Sequence, residues 1–169
     1  MITFQTSSLG KIVPRYLSAF YEQLTDHKTK EVAKQFKVVF PTEDFVNASH
    51  LGVEMASSVL LQEKFWDEVA DYPKESFHRL TPISKALDGN LFHAKIMVVN
   101  DEDNTINDDS LLYFGSHNFS PSAWGNVEKR GSQLHMANWE LGIIFPPGSG
   151  TASLKSEIID AMTLMLCST

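Results

Sequence analysis

The chain has 169 residues, enough for one domain with a real core and short for two. Hydrophobic residues make up 43% and charged residues 21%, which excludes a disordered tail, and no apolar run approaches the length of a membrane span. Fourteen basic against twenty-one acidic residues give a net charge of -7, so the chain as a whole is a poor non-specific binder of duplex DNA. Any contact with nucleic acid must be local, or lean on basic surface that these residues do not supply.

The opening residues Met1-Ile2-Thr3-Phe4-Gln5 carry neither a basic n-region nor a long apolar stretch, which argues against a secretory leader. The single cysteine, Cys167, cannot form an internal disulfide and points to a reducing intracellular compartment, with a packing rather than a nucleophilic role. The start of the chain reads as polar loop, with Gln5-Thr6-Ser7-Ser8-Leu9-Gly10 offering hydroxyls to cap a following helix. In that helix Tyr16, Leu17, Phe20, Tyr21 and Leu24 recur at three- and four-residue spacing. Phe36 to Phe40 is a short strand ended by Pro41, and Thr42-Glu43-Asp44 opens a short helix with acids in its first turn. From Leu60 to Val69, Leu61, Phe65 and Val69 keep helical spacing. Asp71 to Asn90 is weakly periodic, broken at Pro73, Pro82 and Gly89.

The second half is richer in strands. Leu91 to Val99 and Leu111 to Ser116 are predicted strands, separated by a loop with five acids between Asp101 and Asp109, which reads as a solvated hairpin connection rather than a metal site. Ser120-Pro121 marks a helix start, Trp139 to Phe145 a third strand, and Leu154, Ile158, Ala161, Met162 and Met165 a last helix. Strands mixed with helices predict an α/β fold, a mixed sheet sandwiched by helices.

Chemistry concentrates at two points. In Phe92-His93-Ala94-Lys95-Ile96, strand alternation puts His93 and Lys95 on one face, roughly 7 Å apart along the chain. Such a pair suits phosphate chemistry: an ammonium can hold a non-bridging oxygen while an imidazole moves a proton or attacks phosphorus. Alone, His-x-Lys is weak, since a histidine and a lysine on a half-exposed strand are commonly mere surface. The next strand ends Gly115-Ser116-His117-Asn118, and an antiparallel hairpin would return Asn118 beside the His93 strand.

His-x-Lys followed by Gly-Ser-x-Asn resembles the half-site of the phospholipase D superfamily. That superfamily's usual aspartate, five residues after the lysine, is here Asn100, a departure shared by the tyrosyl-DNA phosphodiesterase family. The resemblance to that family continues through Asn118-Phe119-Ser120-Pro121-Ser122-Ala123-Trp124-Gly125, Glu128-Lys129, Gly131-Ser132-Gln133-Leu134 and Trp139-Glu140-Leu141-Gly142-Ile143-Ile144-Phe145. At the other end, Gln5 to Gly10 is similar to the family's phosphate-contacting serine loop, while Thr25 to Asn90 matches only loosely.

The resemblance implies a phospholipase D-like fold and a single domain over 1–169, the C-terminal half of an enzyme whose N-terminal catalytic half is absent. It implies that His93 is the general acid for the departing tyrosine oxygen and then the base for water. It implies that Lys95 and Asn118 stabilise charge at phosphorus and that Glu140 orients a catalytic histidine. Ser7, Ser8 and Ser120 would contact DNA phosphates. The implied reaction hydrolyses the 3′-phosphotyrosyl bond between DNA and trapped topoisomerase I through a phosphohistidine, with no metal or other cofactor. Expected partners are DNA with a blocked 3′ end, a topoisomerase I-derived peptide and the enzyme's own N-terminal half, with no membrane, in the nucleus.

The nucleophilic histidine would come from a second His-x-Lys set, and none occurs here: His27, His50, His78, His117 and His135 all lack a lysine two residues on. His117, next to Asn118, should face away from the site as a packing or surface residue. Two other readings remain open at this point. One is a single-motif nuclease or lipid phosphodiesterase that builds its site across a homodimer axis. The other is a non-catalytic binding module.

Overall fold

In the computed structural model, residues 1–79, 89–100 and 106–161 are described. Among these residues, ten strands and five α-helices follow in chain order. They begin β1 (Ile2–Gln5), β2 (Ser8–Leu9), α1 (Pro14–Thr25), β3 (Phe36–Val39), α2 (Glu43–Asn47), β4 (Leu60–Leu61), α3 (Glu63–Glu68) and β5 (Phe77–His78). The second half contributes β6 (Lys95–Val99), β7 (Leu111–Gly115), α4 (Pro121–Trp124), β8 (Asn126–Glu128), β9 (Gln133–His135), β10 (Gly142–Phe145) and α5 (Ala152–Ala161). Six strands form one mixed sheet in the order β10-β7-β6-β1-β3-β5. The α/β fold expected from the sequence is the one found.

The first residues are not the expected loop. β1 lies in the middle of the sheet, parallel to β3 and antiparallel to β6, with all four residues buried. A four-residue strand is too short to announce itself by alternation, and the partners that stabilise it lie more than thirty and ninety residues away in register, Ile2 opposite both Phe36 and Val99. The hydroxyls of the following loop do not cap α1 either. That helix starts with Pro14 at its first position and Val13 as an N-cap without a side-chain bond. Leu60 to Val69 divides into β4, paired with β2, and the shorter α3. Residues 91–94 also lie outside any strand, because β1 ends at Gln5, opposite Ile96, and β7 ends at Gly115, opposite Lys95. β10 begins at Gly142 rather than Trp139 for the same reason, being paired from Gly115 onward.

Alternation along β6 and β7 feeds two cores. On one face, Phe4, Met97 and Tyr113 join Leu17 from α1 with Phe36 and Phe119. Phe119 is fully buried, stacking on Phe4 at 4.5 Å and on Phe36 at 5.7 Å between ring centres. On the other face Ile96, Val98 and Leu112 meet Ile158 and Ile159 of α5. Lys155 fastens that helix: it is fully buried, and its ammonium donates to the carbonyls of Asp108, Ser110 and Pro146 at 3.0, 2.7 and 3.0 Å. Part of the acidic loop, the end of the last predicted helix and Cys167 lie outside the described residues.

Candidate active site

The site gathers where β1 ends, β6 begins and β7 ends. Asn118, three residues past β7, folds back on the loop after β1. Its Oδ1 accepts from the backbone N–H of Ser8 at 3.0 Å and from the Ser7 hydroxyl at 3.3 Å, with the Thr6 hydroxyl 3.0 Å away. A backbone N–H can only donate, so the atom facing Ser8 must be the amide oxygen. That fixes the orientation of the amide and leaves its NH2 uncommitted among the described residues. The same junction is held by Phe119 N–H donating to the Thr6 hydroxyl (3.1 Å) and Gly10 N–H donating to the Phe119 carbonyl (3.2 Å).

Lys95 opens β6 with only 3% of its surface exposed, and its ammonium donates to the His93 carbonyl at 2.5 Å. Burial lowers its pKa, and the negative charge of Glu140 opposes that shift. His93, two residues earlier, is exposed; partial desolvation, then the charge of Lys95, lowers its pKa below the usual histidine value. Lys95 therefore acts electrostatically on His93, but no hydrogen bond among the described residues joins His93 to Asn118.

Glu140 precedes β10. Its two oxygens accept from the Ser116 hydroxyl at 2.5 Å and from the Asn138 amide at 3.0 Å. Ser116 is itself clipped to the next strand, its hydroxyl receiving Leu141 N–H at 2.9 Å and its own N–H donating to the Leu141 carbonyl at 2.9 Å. The charge of Glu140 also raises the pKa of His117, against a larger lowering by burial. His117 is a packing residue: its ring lies 4.5 Å from the Trp124 ring and its Nδ1 is 2.5 Å from the Tyr113 hydroxyl. Tyr113 reaches that point by crossing Gly115 and Gly142, where an added Cβ would meet its side chain at 2.1 Å.

Of the expected phosphate contacts, Ser7 is fully buried behind Asn118 and Ser8 is half-buried in front of it. Ser120 is half-buried and caps α4, accepting from Ala123 N–H at 3.3 Å, with Pro121 at the first helical position as the sequence suggests. Asn100, at the position of the superfamily aspartate, follows β6 with its Oδ1 buried and unpartnered among the described residues. Sequence reasoning did not single out Thr6, Tyr113 or Asn138; Ser116 was visible only as part of Gly-Ser-x-Asn. Among the described residues no group of three His, Cys, Asp or Glu side chains could hold a metal ion, and no helix is long and apolar enough to cross a membrane.

A family model described as tyrosyl-DNA phosphodiesterase matches residues 1–162. The chain belongs to the tyrosyl-DNA phosphodiesterase family. It is 26% identical over 152 residues to tyrosyl-DNA phosphodiesterase 1 of Arabidopsis thaliana, covering 86% of this chain and 24% of that protein. Among solved structures it resembles the yeast tyrosyl-DNA phosphodiesterase with a TM-score of 0.62 and 17% identity, over 86% of this chain and 38% of that one. A point mutant of the yeast enzyme gives 0.63 and 18% over 91% and 40%. The fold is thus that of a phospholipase D-like enzyme, and the chain spans about a quarter of the plant protein and about two-fifths of the yeast chains.

Proposed function

We propose that this chain is the general-acid half of a DNA-repair phosphodiesterase that hydrolyses the 3′-phosphotyrosyl bond left by trapped topoisomerase I, completed by an N-terminal half with the nucleophilic histidine. The observation that carries this reading is the locked amide of Asn118. Its oxygen is committed to Ser8 and Ser7, so its NH2 remains to donate to a phosphate oxygen, as an oxyanion stabiliser requires. Lys95 supplies a buried positive charge on the neighbouring strand. Ser8 and Ser120 offer half-buried hydroxyls for the DNA strand, with Ser7 supporting Asn118 from behind.

Attack by the partner histidine at phosphorus breaks the P–O bond to tyrosine, and His93 delivers a proton to the departing oxygen. His93 then takes the proton of a water that displaces the histidine from phosphorus, releasing a 3′-phosphate. Glu140, held by Ser116 and Asn138, orients the nucleophilic histidine across the junction. Its neighbours support such a junction: Trp139 is fully exposed, and Leu141, Ile143 and Ile144 are exposed on the same segment. The substrate implies action on nuclear DNA.

Tyrosinate leaves with a pKa near 10 and needs only partial protonation, whereas base catalysis on water is worth about 10² to 10⁴ in rate. His93→Ala in the full-length protein is therefore expected to accumulate a protein–DNA adduct, read on a denaturing gel with a labelled 3′-phosphotyrosyl strand. Retained DNA binding with neither adduct nor product would assign His93 to the nucleophilic step instead. The isolated chain is expected to show no turnover on that substrate; metal-independent cleavage by it would favour a homodimeric site.

A further inference from the structure

A cavity of about 570 Å³ opens beside the carboxyl ends of β3 and β5. Its walls include Phe40, Trp66 and Phe77, and its rim carries Glu43, Glu63 and Asp67. Trp66 and Phe77 stand nearly perpendicular, 86° apart with ring centres at 5.1 Å, so two faces of the cavity are aromatic. Among the described residues no lysine or arginine lines it, and none of the three carboxylates forms an ion pair.

Structural roles account for part of this set. Glu43 and Glu63 lie in the first turns of α2 and α3, where acids suit the helix dipole. Asp67 has no such reason. It falls four residues after Glu63 on α3, a like-charge spacing that destabilises a helix unless a cation lies between the two. His78, also in the wall, has its pKa lowered by burial and then by Lys37, so at neutral pH it adds no opposing charge. Lys74 sits 5.0 Å from the centre of the Trp66 ring, a cation–π contact that the chain makes with its own side chain.

We propose that this cavity binds the cationic side chain of a polypeptide, arginine best, with its planar head against Trp66 and Phe77 and its charge facing Glu63 and Asp67. Guanidinium suits the site better than ammonium because it is weakly hydrated and stacks on aromatic faces. The volume accommodates a whole side chain with part of its backbone. Phe40 and Pro41 also wall the recess bounded by Gln5, Thr6 and Phe92, so the cavity adjoins the approach to His93. The proposal does not depend on the catalytic assignment, since it concerns equilibrium binding by the chain alone.

The test is fluorescence anisotropy of the 1–169 chain with a labelled Gly-Ser-Gly-Arg-Gly-Ser-Gly peptide, its citrulline counterpart, which keeps the shape without the charge, and a labelled single-stranded oligonucleotide. Saturable binding of the arginine peptide is expected, with the citrulline peptide about tenfold weaker or more. The exposed double substitution Glu63→Gln, Asp67→Asn should weaken the arginine peptide to a similar degree while circular dichroism and Tm stay unchanged. Phe77→Leu, checked the same way, should weaken it through loss of an aromatic wall. Equal binding of the two peptides, indifference to the carboxylate substitutions, no binding at all, or a preference for the oligonucleotide competed by neither peptide would overturn the proposal.

Discussion

At the centre of the sheet, β1 is paired on both sides and every one of its residues is buried, while β10 at one edge leaves Ile143 and Ile144 each 58% exposed. Successive strand residues face opposite ways, so both faces of β10 are uncovered. Trp139 and Leu141, just before it, are exposed by 101% and 82%. An apolar edge strand open on both faces is a liability that a folded protein normally covers. The candidate site straddles the difference. Lys95 and Asn118 are held from the finished centre, and Glu140 is held from the open edge, through Ser116 and Asn138. One set of groups is fixed by the buried centre; the other lies beside an exposed apolar surface.

The sharpest way to test that contrast is to remove a large ring from each side. Phe119→Ala empties the centre of the stack with Phe4 and Phe36 and should cost about 3–5 kcal/mol in urea unfolding of the chain. Trp139→Ala, on a side chain with no cover, should move stability by no more than about 0.5 kcal/mol. A comparable loss at both positions would mean that the edge is as well packed as the centre, and the argument for an uncovered face would fail.

Next in size is Asn118→Ala. The substitution leaves Ser8 N–H and the Ser7 hydroxyl facing an apolar methyl, at a cost of about 1–3 kcal/mol. Asn118→Asp restores an acceptor and should recover most of it. Were the alanine variant as stable as the parent, the amide would not be locked by these donors, and the orientation of its NH2 would lose its support.

The physical range of each signal explains what the sequence could and could not disclose. α1 was legible because its aromatic spacing is repeated over three turns, and α4 because Ser120-Pro121 is a local cap. The β6–β7 hairpin, which puts Lys95 opposite Gly115, was legible from two hydrophobic runs around a polar loop. β1 was not, since its reasons for being a strand reside in β3 and β6. Thr6 escaped notice for the same cause: a hydroxyl in a polar loop reads as a helix cap until Asn118, 112 residues later, folds over it. His93 and Lys95 could be named from chemistry, but the end of the strand between them depends on where β1 and β7 stop.

Acid should separate the two sides more gently. His93, His117 and His78 all have folded-state pKa values below the ordinary histidine value, in each case chiefly through burial. As pH falls through about 6.5, the unfolded chain takes up protons that the folded chain still refuses, so it binds more protons and stability declines. The stability is intact above that pH and is lost progressively below it, toward the lowered folded-state values. Tm measured from pH 7.5 to 5 should fall, and His78→Gln should flatten the slope. A Tm that rises over that interval would contradict the sign of these shifts.

The smallest effect is the most discriminating for the site. Glu140 raises the pKa of His117 and of Lys95, but it is not among the causes acting on His93, which responds to burial and to Lys95. Glu140→Gln keeps the length of the side chain and a carbonyl oxygen for the Ser116 hydroxyl, and removes the charge together with the acceptor for the Asn138 amide. In an NMR titration of the isolated chain, the His117 ring protons should then titrate at lower pH than in the parent. Those of His93 should shift far less, because the charge reaches them only through Lys95. If His93 moved as much as His117, Glu140 would be coupled directly to the proposed general acid of its own half. Its orienting role would then be directed inward, and the open edge at β10 would lose its claim to hold a group for the histidine of a partner half.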